Sequence, residues 1–143
     1  MYKFLQQTVS DYMTRSVKTV ARGCSVRELN EMIEQDDFNT YPVEEDGQIA
    51  GIVTKFDVLK CFAFTPSQMV PRYDDLMNRT IADIMTTAFI YVGADTRLTR
   101  VLQLMVEHKI RSIPVIDSDH RLVGIIARED VLTALAVCAG AAK

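Results

Sequence analysis

Long apolar runs are missing from this chain. Its strongly apolar stretches fall short of the roughly 18–20 residues that a bilayer-crossing helix needs. The first residues, Met1-Tyr2-Lys3-Phe4-Leu5-Gln6-Gln7, lack the apolar core of a signal peptide. Cysteine is scarce: Cys24, Cys61 and Cys138 are far apart, odd in number and form no CxxC pair. Neither a zinc site nor a disulfide framework is expected, and a reducing, cytoplasmic location suits them. Two histidines, His108 and His120, are too few for a histidine-based metal site. There is no basic excess. The 16 Lys and Arg face 19 Asp and Glu, for a net charge of −3. A nucleic-acid binder is disfavoured, because phosphate affinity comes from clustered cations. No Ser-His-Asp, Cys-His or metal-ligand set is visible, so an enzyme is not expected.

What is present is globular. The 143 residues are 48% apolar and 24% charged, enough apolar surface to exclude a disordered chain. The length suits one compact domain or two very small ones.

The chain is one unit written twice. Val9-Ser10-Asp11-Tyr12-Met13-Thr14 lines up with Ile81-Ala82-Asp83-Ile84-Met85-Thr86 at an offset of 72. The same offset pairs Tyr41-Pro42-Val43 with Ile113-Pro114-Val115. One inserted residue then sets Gly51–Leu59 against Gly124–Leu132. This divides the chain into a repeat at 8–64, a connector at 65–79 and a repeat at 80–137. A lone core of ~60 residues is marginal, so the copies are expected to pack on each other about a pseudo-twofold axis, with a ligand cleft between them.

Each copy reads β-α-β-β-α, an α/β (α+β) pattern. The first strands are placed at Val17–Val20 and Phe89–Val92. The next helices carry Val26, Leu29, Met32 and Ile33, and Leu98, Val101, Leu102 and Met105, at helical spacing. Ser25 is the expected cap of the first, and Asp95 or Thr96 of the second. Strands follow at Thr40–Glu44 and Gln48–Val53, and at Ser112–Asp117 and Arg121–Ile126. Final helices begin near Thr54 and Ala127. Glu44-Glu45-Asp46 reads as a solvated hairpin rim, and Met13 and Met85 as core anchors. The connector is too apolar for a free linker and is expected to pack, with a helical turn at Tyr73–Asn78.

The informative segment is Gly51-Ile52-Val53-Thr54-Lys55-Phe56-Asp57, where an apolar strand meets a helix start. Free N–H groups there attract phosphate. Thr54 offers a hydroxyl to a phosphate oxygen, Lys55 adds positive charge, and Asp57 offers its carboxylate to a pair of ribose hydroxyls. The same Thr-x-x-Asp spacing is also that of a capping box. Copy two reads Ala127-Arg128-Glu129-Asp130, keeping the acid without the hydroxyl. A reciprocal box gives little reason to keep Asp130 alone, which favours a role for it beyond capping.

With these residues in view, the chain resembles a tandem pair of cystathionine-β-synthase (CBS) domains, a Bateman module. The resemblance rests on Asp11–Thr14 and Asp83–Thr86, on Tyr41-Pro42-Val43 and Arg111-Ser112-Ile113-Pro114-Val115, and on the two Gly-x-x-x-x-x-Asp segments. It implies two pseudo-twofold-related repeats packed through their sheets and a regulatory module without catalysis. It also implies an adenine nucleotide (AMP, ADP or ATP) as ligand; S-adenosylmethionine, NAD or a cyclic dinucleotide are the alternatives. Carried over, Thr54 contacts phosphate and Asp57 the ribose. Thr19, Val20, Tyr41 and Pro42 line the adenine pocket, with Ile113 and Pro114 as counterparts of the last two. In copy two Asp130 matches while Ala127 departs, leaving Arg111 or Arg128 to meet phosphate. The copy-one equivalents of Lys109 and Arg111 are Asp37 and Asn39, so basic charge comes mainly from copy two. The resemblance further implies a homodimer acting on an effector protein. A competing reading is a protein-interaction scaffold with vestigial sites.

Overall fold

The computed structural model describes residues 2–36, 40–63 and 73–140. It divides into two compact units. One is Lys18–Phe89; the other joins Met1–Val17 to Ile90–Lys143. The units are therefore offset from the sequence repeats by the stretch that carries each Asp-x-Met-Thr.

In Lys18–Phe89 the order is β1 (Val20–Ala21), α1 (Val26–Asp36), β2 (Thr40–Glu45), β3 (Gln48–Thr54), α2 (Lys55–Cys61), α3 (Tyr73–Met77) and α4 (Ile81–Ile84). β2 is central, parallel to β1 and antiparallel to β3. Val20, Leu29, Ile33, Tyr41, Val43, Val53 and Ile81 form the core. Ser25 caps α1 as expected: its Oγ accepts from the Glu28 N–H at 3.1 Å, and Glu28 Oε1 accepts from the Ser25 N–H at 3.2 Å. α3 supplies the expected helical turn of the connector, and Met77 is buried. Phe64–Arg72 lie outside the described residues.

The other unit begins with 3₁₀ turns at Tyr2–Gln6 and Val9–Asp11, then α5 (Leu98–His108), β4 (Ser112–Ile116), β5 (Leu122–Ala127) and α6 (Arg128–Cys138). Its core gathers Leu98, Val101, Met105, Ile113, Val115 and Ile126, and also Phe4 and Val9 from the amino-terminal segment.

Both expected first strands are shorter than the sequence suggests, and proline is the reason. The Val92 N–H donates to Pro114 O at 3.1 Å, and the Ile116 N–H to Val92 O at 2.9 Å. The next rung toward Phe89 needs an N–H from Pro114, which has none. Only an isolated parallel bridge, Val92 to Val115, remains. Pro42 does the same to β1, which begins at Val20 instead of Val17. The cap of α5 also differs. Its N-cap is Arg97, without a side-chain bond. Thr96 Oγ1 instead accepts from the Gly93 N–H at 3.0 Å, and the Leu98 N–H donates to Gln7 O at 3.1 Å.

The Asp-x-Met-Thr segments dock on glycines. Thr86 and Ile52 exchange backbone hydrogen bonds at 2.8 and 2.9 Å, and Thr14 and Ile125 do so at 2.9 Å each. A Cβ on Gly51 would lie 2.7 Å from Thr86 O, and one on Gly124 2.8 Å from both Thr14 O and Met13 Sδ. Glycine permits this close approach. Met13 and Met85 each pack against the core of their unit.

Candidate functional site

β3 ends in extended backbone at Thr54 and α2 starts at Lys55. Thr54 Oγ1 accepts from the Asp57 N–H at 3.2 Å, and Asp57 Oδ2 accepts from the Thr54 N–H at 2.9 Å. Oδ2 also accepts from the Thr54 hydroxyl at 3.1 Å. A complete capping box is formed. Asp57 is only 5% exposed, and a carboxylate so buried requires partners. Its Oδ1 faces Lys60 Nζ at 3.4 Å. Lys60 also lies 5.5 Å from the Phe56 ring centroid. Lys55 is exposed beside this group.

The neighbouring strands bring the other copy-one residues onto the same sheet. Thr40 pairs with Thr54, Tyr41 with Val53 and Pro42 with Ile52. Val20 is buried opposite Val43. The Thr19 hydroxyl donates to Glu44 Oε1 at 2.8 Å. Tyr41 is closed in the core, and its hydroxyl donates to Asp36 Oδ2 at 3.0 Å and Met32 O at 3.2 Å. Burial first, and the Asp36 carboxylate second, push the Tyr41 phenol up. Lys18 donates to Asp36 at 2.7 Å, the leading reason that the Asp36 carboxyl is held below the usual range.

The copy-two residues meet in the other unit. Ser112 pairs with Ala127, and the Arg128 N–H donates to Arg111 O at 2.9 Å. Both arginines are exposed, and Arg128 Nε donates to Ile110 O at 3.3 Å. Ile113 is fully buried and Pro114 is buried beside it on β4. Asp130 Oδ2 accepts from the Ala127 N–H at 2.8 Å. This corrects the sequence argument about the lone acid. Half of a capping box survives without the hydroxyl, so the lone acid has a capping role. Burial first, then the Glu129 charge, raise the Asp130 carboxyl. Asp37 and Asn39 lie outside the described residues. Among those described, no group of three His, Cys, Asp or Glu is placed to hold a metal ion, and no helix is long and apolar enough to cross a membrane.

Comparison with known proteins decides the family. The model of the CBS domain matches residues 9–63 and again 81–137. The chain belongs to the CBS-domain family. It carries two CBS repeats, as the offset of 72 implies. It is 31% identical over 124 residues to a homoserine O-acetyltransferase of Methanosarcina acetivorans, covering 86% of this chain and 21% of that protein. Across that relative and two other curated CBS-bearing or uncharacterised relatives, the chain spans 21%, 63% and 46% of their lengths. Among solved structures, that of CBSX2 in complex with AMP is 26% identical with a TM-score of 0.79, covering 92% of this chain and 98% of CBSX2. The CBS-domain pair of protein MJ0100, in complex with 5′-methylthioadenosine and S-adenosyl-L-methionine, is 25% identical with a TM-score of 0.74, covering 90% and 99%.

Two contacts of this CBS pair escape a reading by motif. Lys60 reaches Asp57 from one helical turn on, a spacing visible in Asp57-Val58-Leu59-Lys60. Glu44, read as solvated rim, is half-buried because Thr19 draws it against β1. Glu45 remains exposed and pairs with Arg22 at 3.0 Å. Nothing in the spacing of Thr19 and Glu44 signals the first contact, since it depends on the β1–β2 register.

Proposed function

We propose that this CBS pair is a regulatory ligand-binding module, without catalysis of its own, that senses adenine nucleotides (AMP, ADP or ATP). The observation that carries the reading is the segment Gly51–Asp57, which fits the family pattern Gly-h-x-Ser/Thr-x-x-Asp (h being apolar). Its hydroxyl and its carboxylate stand together at a strand-to-helix turn. The AMP in CBSX2 and the adenosyl compounds in MJ0100 support the chemical class. Thr54 and Lys55 would receive phosphate. Asp57 would receive the ribose hydroxyls on Oδ1, displacing the exposed Lys60 ammonium. Backbone at Thr19–Val20 and Tyr41–Pro42 would flank the base. Arg111, Arg128 and Asp130, with Ile113 and Pro114, form the counterpart set of the second repeat, where Ala127 supplies no hydroxyl. The module would act in the cytoplasm as a homodimer, handing its ligand state to an effector protein.

The competing reading is a scaffold with vestigial sites. It draws on the mutual satisfaction of Thr54 and Asp57 and on Ala127. A thermal-melt panel with AMP, ATP, NAD, S-adenosylmethionine and a cyclic dinucleotide separates the two. A ligand at 100 times its dissociation constant stabilises the folded state by about 2.7 kcal/mol. The sensor reading expects AMP or ATP to raise the melting temperature. A flat response to the whole panel favours the scaffold.

A further inference from the structure

Lys18, Asp36 and Tyr41 form a linked set in the Lys18–Phe89 unit. Lys18 Nζ donates to Asp36 Oδ1 at 2.7 Å, and the Tyr41 hydroxyl donates to Asp36 Oδ2 at 3.0 Å. The Asp36 side chain is only 13% exposed, against 59% for Lys18. Asp36 is the last residue of α1, where a carboxylate opposes the helix dipole. Its charge therefore does not serve the helix and depends on Lys18. Lys18 also stands where the sheet lacks a rung. With Val20 opposite Val43, the next parallel hydrogen bond would run from an N–H at position 42 to Lys18 O, and Pro42 has none to give. The Lys18 side chain makes a tie where the ladder cannot.

The second repeat does without this set. At the offset of 72 its residues are Ile90, His108 and Ile113, which offer neither the ammonium, the carboxylate nor the phenol. Its helix α5 and strand β4 form all the same, but its first strand is reduced to the single bridge of Val92 to Val115. The first repeat, with the set, pairs both Val20 and Ala21. The CBS fold thus forms without these three side chains, and what they add is order at the start of β1.

We propose that Lys18 and Asp36 are positioning residues of the first repeat's ligand site, tying the Thr19–Val20 segment to Tyr41–Pro42. Lys18 precedes the one segment, Tyr41 begins the other, and the Asp36 carboxylate is common to both. These are the two backbone segments proposed above to flank the base, and the inference rests on that reading. Lys18 and Asp36 act through them and need not touch the ligand.

Calorimetry with AMP on the full chain tests it, using wild type, Lys18→Met, Asp36→Asn, the double variant and Lys18→Arg. Circular dichroism verifies folding; Lys18→Ile and Asp36→His, the residues of the second repeat, are the replacement pair. Lys18→Met removes a positive charge and Asp36→Asn a negative one. Simple attraction of the phosphate would move affinity in opposite directions, whereas positioning moves it the same way. Each single variant is expected to bind AMP about three- to tenfold more weakly, the range for groups coupled in one network. The double variant is expected to bind no more weakly than the weaker single one. Lys18→Arg, which keeps the ion pair, is expected to match wild type. Affinity unchanged in either single variant, even with a lowered denaturation midpoint, overturns the proposal and leaves the nucleotide reading standing. So do opposite shifts in the two, or losses that add in the double variant. Absence of AMP binding by wild type overturns both.

Discussion

Thr54 and Ala127 occupy equivalent positions, and the pair is a natural experiment in helix capping. Both retain the acid three residues on, and both N-cap N–H groups donate to it, at 2.9 and 2.8 Å. Only Thr54 adds the reverse bond, its hydroxyl oxygen accepting from the Asp57 N–H. Ala127→Thr should complete the second box and stabilise the protein by about 0.5–2 kcal/mol, read as a higher denaturant midpoint at unchanged slope. A lower midpoint would mean that β5 and α6 leave no room for the hydroxyl. Asp130 carries a pH signature. Its carboxyl is raised by burial, so the folded state binds the proton more tightly than the unfolded state. Its contribution is then greatest in acid and declines as pH rises from the ordinary carboxyl range through the raised value. Asn at this position keeps an acceptor for the Ala127 N–H without the charge. Asp130→Asn should therefore gain stability relative to wild type at pH 7 compared with pH 3. An equal difference at both pH values contradicts the assigned cause.

At the scale of elements, the docking of each Asp-x-Met-Thr segment depends on a missing side chain. Gly51→Ala would drive a Cβ to 2.7 Å from the Thr86 carbonyl, a backbone atom with little freedom to yield. The expected cost is about 1–3 kcal/mol, measured by urea denaturation. A neutral substitution would show that the Asp83–Thr86 segment is loosely held. Much of this architecture was legible in the repeat. The helices followed apolar spacing, and β2 to β5 fell within a residue or two of their expected bounds. The misplaced strand and cap were failures of contacts at a distance, whereas the half-box at Ala127 and Asp130 is local. Phe89–Val92 has strand-forming residues, yet its ladder partner is a proline. Asp95 and Thr96 have capping chemistry, yet Gln7 arrives from the amino terminus to take the Leu98 N–H. At the site, the Thr54–Asp57 contact was readable because it is local. The enclosure of Tyr41 and the Thr19–Glu44 bond were not, because each is set by which strand face turns inward.

For the whole molecule, repeat and compact unit are different partitions of one chain. Phe4 and Val9 precede or open the first repeat, yet they are buried with the residues of the second. Val9→Ala removes apolar volume from that core, a kind of change that lowers stability by a few kcal/mol. Hydrogen exchange should locate the loss in β4, β5 and α5, with β2 and β3 less affected. Loss confined to β2 and β3 would contradict the observed partition. The charge follows the same partition. The modest −3 of the whole chain conceals units of −5 (seven Lys and Arg against twelve Asp and Glu in Lys18–Phe89) and +2 (nine against seven in the other).

Calorimetry with AMP on wild type and Thr54→Ala tests most directly whether a nucleotide binds at Thr54 and Asp57. The fold should survive the substitution, since Ala127 fills the equivalent position in the second repeat. Losing a hydrogen bond to a charged phosphate is worth about 1.5–3 kcal/mol, or roughly 10- to 150-fold in dissociation constant. Saturable binding by wild type, weakened by that factor in Thr54→Ala, is the predicted result. Absence of binding by wild type, or equal affinity in the two proteins, would contradict it.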